Sequence, residues 1–88
     1  MGTTKRVRGG KITTSIANQN ILDVEPNLNR KVTNVSIVNL GLEEIHVIIN
    51  DGDMIPIDSN ETLNLGDLVI DSIIVVEKGA TVKFIGIE

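Results

Sequence analysis

The chain has 88 residues, enough for one small domain, and no cysteine, so neither a disulfide nor a thiolate ligand or nucleophile is available. Fourteen Ile, ten Val and seven Thr make 31 β-branched residues against two Ala, a balance that fits pleated sheet and opposes a helical bundle. The net charge of −4 conceals an asymmetry: residues 1–11 hold Lys5, Arg6, Arg8 and Lys11 and no acid, while residues 12–88 hold all twelve acids and four bases, a net of 4 − 12 = −8.

Residues 1–10 are polar and basic and close on Gly9-Gly10, which predicts a flexible N-terminal arm ahead of a β-sandwich over residues 11–88. Lys5, Arg6, Arg8 and Lys11 suit an acidic partner on which that arm could order. The start carries no apolar h-region of a secretory peptide. The longest apolar run, Ile73 to Val76, has four residues, far short of a membrane span. These features predict a protein made in the cytoplasm, with no membrane partner.

Short β-leaning segments follow at Lys11–Ile16 and Asn20–Val24, then a loop over residues 25–30 in which Pro26 cannot join a ladder. Lys31–Leu40 alternates, with Val35 and Ile37 on one face and Val32, Asn34, Ser36 and Val38 on the other. A turn at Leu40–Glu43 leads to Ile45–Ile49, and Asp51-Gly52 is the strongest tight-turn signal. Met54–Ile57 is interrupted by Pro56, which suits a sheet edge. Glu61–Leu65 turns Leu63 and Leu65 inward, and Leu68–Glu77 reads as one long apolar strand. Ala80–Ile87 places Val82 and Phe84 on one face and Ile85 and Ile87 on the other. Seven or eight strands with turn signals roughly every 8–12 residues predict an all-β, antiparallel, jelly-roll-like sandwich with no helix beyond a single turn.

Two of these strands are apolar on both faces, although a two-sheet domain offers each strand only one buried face. The surplus predicts self-association through Ile45, Val47, Ile48, Ile49, Ile73, Ile74, Val75 and Val76.

Chemical signatures are sparse. His46 is the single histidine, flanked by Ile45 and Val47, and reads as a packed or interface residue. No Gly-x-Ser-x-Gly elbow surrounds Ser15, Ser36, Ser59 or Ser72. The acidic turns at Asp51–Asp53 and Asp58–Glu61 lack the twelve-residue calcium loop, and the scattered glycines form no phosphate cradle. Phe84 is the only aromatic residue, so stacking platforms for sugars or single-stranded nucleic acid cannot be built. The acidic body opposes duplex nucleic acid as a partner. No catalytic residue, metal or cofactor is expected.

The run Val32–Asn39, the hairpin Ile48–Gly52, the segment Leu63–Gly66 and the stretch Ile73–Gly86 together resemble small β-sandwich virion proteins of tailed bacteriophages. The resemblance covers about residues 30–88 and lies in pattern. It implies a homo-oligomeric accessory protein, a trimer being favoured, that decorates or stabilises the head within the virion and binds major capsid or tail proteins. The alternative is a tail, fibre or receptor-binding module that recognises a host surface.

Overall fold

A computed structural model describes residues 7–24 and 31–88. The elements are β1 (Val7–Thr13), β2 (Gln19–Asn20), a 3-10 turn (Ile21–Val24), β3 (Thr33–Asn39), β4 (Ile45–Ile49), β5 (Met54–Ile57), β6 (Thr62–Asn64), β7 (Ile73–Val75) and β8 (Thr81–Ile87). They form two four-stranded antiparallel sheets, ordered β1-β8-β3-β6 and β2-β7-β4-β5. Successive strands alternate between the sheets, apart from β4 and β5, which share a hairpin. This is the jelly roll that the β-branched composition and turn spacing predict.

Alternation decides what lies between the sheets. Val35, Ile37, Val82 and Phe84 face inward from the first sheet. Ile45, Val47, Ile49, Ile57, Ile73 and Val75 face inward from the second, in one continuous core. Each such side chain stabilises the fold by about 1.5–3 kcal/mol on burial. Pro56 sits on β5, an edge strand as expected, where its missing N–H costs no ladder bond.

Val32 departs from the expected phase. Strict alternation sets it opposite Val35, yet Val32, Val35 and Ile37 are all buried. The register of β3 on β8 shifts between Thr33 and Ser36, and Asn34 takes a left-handed φ of 52°. One extra residue is thereby inserted, and the bulge returns the strand to the same inner face. Gly86 lies opposite: a Cβ there would come within 3.0 Å of Val35 Cγ2 and 3.2 Å of Val32 Cβ.

The start of the body also differs. Val7–Gly10, expected as flexible arm, belong to β1 and pair with Ile87 to Phe84 of β8. Glycine permits this approach, because a Cβ at Gly9 would collide with the Phe84 carbonyl oxygen. The residues expected to form the mobile arm before Val7, and the loop at 25–30, lie outside the described residues.

Three further segments differ from what their sequences imply. The segment Leu68–Glu77 keeps only Ile73–Val75 as strand, with an isolated bridge from Ile70 to Val32. Between them Asn50 replaces the ladder: its Nδ2 donates to the Val69 carbonyl at 2.8 Å, and its Oδ1 accepts from the Asp71 and Ser72 amides at 2.7 and 3.3 Å. Leu68 and Val69 are left exposed. In the β4–β5 turn the left-handed residues are Asn50 and Asp51 (φ 52° and 57°), and Gly52 N–H closes the turn on Ile49 O at 2.9 Å. The stretch Asn20–Val24, expected as strand, is β only at Gln19–Asn20, where Asn20 Oδ1 accepts the Leu22 amide at 3.1 Å and starts the 3-10 turn.

Asn39 is the polar group on which one end of the sandwich depends. It is fully buried, its Nδ2 donates to Glu43 O at 2.7 Å and Ile57 O at 3.0 Å, and its Oδ1 accepts Gly41 N–H at 2.9 Å. Its side chain thus joins the β3–β4 loop to the end of β5. Asn39→Ala strands these buried groups, and a loss of about 2–4 kcal/mol is expected. Urea denaturation checks it, against exposed Thr62→Ala, which should stay within about 0.5 kcal/mol of the parent. Equal stability of the two variants would remove Asn39 from this role.

Candidate functional site

Burying one face of β4 and β7 fixes what the other face presents. Ile48 stands between Ile74 of β7 and Met54 of β5, with Asn20 of β2 beyond Ile74. The next row holds His46 opposite Pro56, and Val76 approaches on the other side with its N–H on the His46 carbonyl at 3.0 Å. Ile48, Ile74 and Val76 are half-buried, and Met54 is 54% exposed. An apolar band therefore crosses the outer face of the second sheet.

This corrects the eight-residue interface expected from sequence. Ile45, Val47, Ile49, Ile73 and Val75 fill the interior of the single chain, because the face they share is the one that meets the first sheet. Ile48, Ile74 and Val76 remain on the outside, joined by Met54 and Pro56, which sequence reasoning had placed only as edge residues.

A polar cluster borders the band. The His46 backbone N–H donates to Glu77 Oε1 at 2.7 Å, and the ring Nδ1 lies 2.7 Å from Glu77 Oε2. Nε2 lies 3.1 Å from Glu44 Oε1. Both ring nitrogens can donate at once only in the imidazolium form. The hydrogen bond to Glu77 is the main cause of a raised His46 pKa, against partial burial and with help from both carboxylate charges. Burial pushes the Glu77 carboxyl up, but the His46 amide and ring together outweigh it and hold the group below its ordinary value. Nothing local in the sequence joins residues 46 and 77; only the pairing of β4 with β7 does. Among the described residues no three His, Cys, Asp or Glu side chains are grouped to hold a metal ion.

Of the four basic residues expected to act together, Arg8 and Lys11 lie among the described residues, three positions apart on β1. Arg8 lies in β1 with its guanidinium 3.6 Å from the Glu88 carboxylate, both largely covered. Lys11 is exposed on the same strand, directly opposite Lys83. Lys5 and Arg6 lie outside the described residues. Comparison of the chain with protein-family models, with curated proteins and with solved structures found no match.

The His46 clasp has a defined pH signature. A raised histidine pKa adds stability that is fully present below pH 6.5 and is lost as pH rises through the higher folded value. The lowered Glu77 pKa adds stability present above pH 4.5 and lost as pH falls through the lower folded value. The clasp is therefore strongest between those limits. Nuclear magnetic resonance titration of the imidazole should place the His46 midpoint above 6.5, falling back in Glu77→Gln. A parent midpoint at or below 6.5 would contradict the clasp.

Proposed function

We propose that the protein is a non-enzymatic structural component that works by self-assembly, as a decoration or accessory protein of a phage head. The observation that carries this reading is the apolar band of Ile48, Ile74, Val76 and Met54 on the outer face of the second sheet. A closed symmetric oligomer, a trimer being favoured by the phage resemblance, would take that band out of water and cover the β5 edge beside it.

The jelly roll supports the reading by its known uses, which include viral capsid, lectin and cupin domains. A lectin surface built on stacking rings has no material here, since Phe84 is both the only aromatic and a buried one. A cupin-like enzyme would call for a cluster of metal-binding histidines, whereas His46 stands alone and is engaged by two glutamates. Shell or tail proteins are the partners this reading implies, and the virion is its place. A tail or receptor-binding module is the second reading, favoured by Leu42, which is 95% exposed on the β3–β4 loop, with Ile16 exposed in the β1–β2 connection.

Ile48→Asp and Ile74→Asp should dissociate the oligomer, while Leu42→Asp should leave it intact. Sedimentation velocity across a concentration series, with circular dichroism to confirm that each variant is folded, separates dissociation from unfolding. A parent chain that stays monomeric at high concentration would overturn self-assembly. Dissociation by Leu42→Asp alone would move the interface to the loop end.

A further inference from the structure

The geometry points to the β1 edge as an acceptor for an extended acidic segment of another protein, which would add a fifth strand to the first sheet. This surface is separate from the outer band of the second sheet and would operate in a monomer or an oligomer alike.

Three observations converge on it. First, β1 is seven residues long and ends its sheet, and no strand among the described residues pairs with its far edge. Its amides turned away from β8 are therefore a ready template for main-chain pairing. Second, a recess of about 320 Å³ opens beside that edge, between β1 and the 3-10 turn that follows β2. Gly10, Ile12, Ile21 and Phe84 give it an apolar part, and Arg8 and Lys11 line it as well. Gly10 faces inward with Phe84 as its cross-strand partner, and a Cβ built there meets no atom within 4 Å. The missing side chain leaves room rather than avoiding a clash. An apolar side chain of an incoming strand could occupy that room and touch Ile21 and Phe84.

Third, charge selects the occupant. Lys11 and Lys83 are directly opposed on the outer face, and neither has an ion-pair partner among the described residues. Like charges in this position are destabilising. A carboxylate on the strand laid beside β1 would sit next to Lys11 and relieve the repulsion. Pairing of two β1 edges from two copies would instead bring further lysines together, so a second copy is disfavoured there. The segment that fits alternates acidic residues outward with apolar residues inward.

The test uses two labelled heptapeptides, Thr-Val-Glu-Val-Glu-Val-Thr and its counterpart with Lys in place of Glu, titrated into the full chain by fluorescence polarisation. The acidic peptide should saturate the protein below about 1 mM and the basic one should bind at least about fivefold more weakly. Lys11→Glu should reverse that preference while leaving the circular dichroism unchanged. Hydrogen exchange should show new protection at the β1 amides that face away from β8. Binding of neither peptide, equal binding of both that ignores Lys11→Glu, or protection confined to β5 or β6 would each overturn the proposal. In the first case Lys11 serves only to keep β1 from pairing.

Discussion

A sandwich of two sheets has a single interior layer, and each strand can turn only alternate side chains into it. In this chain that layer is filled almost wholly by Val and Ile, with Phe84 the one large ring. β-branched side chains are stiff, so they lose little freedom on packing and stand well against a pleated surface. Placing Ile45, Val47 and Ile49 inward commits His46 and Ile48 to the outside. The same choice on β7 commits Ile74. The candidate interface is thus the remainder left after the core has been satisfied, and its position could not be altered without turning β4 inside out.

Loops are finished by side chains rather than by further ladder. Asn39 ties two connections at one end, and Asn50 bends the segment before β7 at the other. Thr14 does similar work where β1 stops: its hydroxyl donates to Glu77 O at 2.7 Å and accepts the Ala80 N–H at 2.9 Å. Short polar side chains can mimic a backbone group, which is why they replace strand at these corners. Glu77 therefore belongs to two structures at once, its carbonyl held by Thr14 and its carboxylate by His46.

Much of the architecture was legible because it follows from period and composition. The alternation in Ile45–Ile49 and Thr81–Ile87, the edge position of Pro56 and the absence of long helices among the described residues all follow from local rules. The bulge at Asn34 was not legible: a single inserted residue inverts the phase of everything before it, and asparagine signals a turn as readily as a bulge. Nor could the end of the core be read from Leu68 and Val69, whose apolarity matches that of the buried Ile70. For the proposed interface, sequence named residues on both faces of β4 and β7, and the fold leaves only the outer face uncovered. An apolar residue on a doubly apolar strand can point either way, and only the opposing sheet decides. The Gly9-Gly10 pair read as the close of a flexible arm, whereas in the folded chain both lie in β1 and Gly9 packs close against the Phe84 carbonyl of β8.

The strand order has a consequence for the birth of the protein. β8 lies between β1 and β3, so the first sheet has no continuous centre until the eighth strand has been made. β7 holds the same middle position between β2 and β4 in the second sheet. A nascent chain leaving the ribosome thus carries the β4–β5 hairpin as its one strand pair between consecutive elements, with most apolar side chains still lacking the partners that will cover them. Non-local pairing of this kind makes folding slow and leaves strand edges open to wrong partners in the interval. Neither sheet can be completed around its middle strand until β7 and β8 have been made.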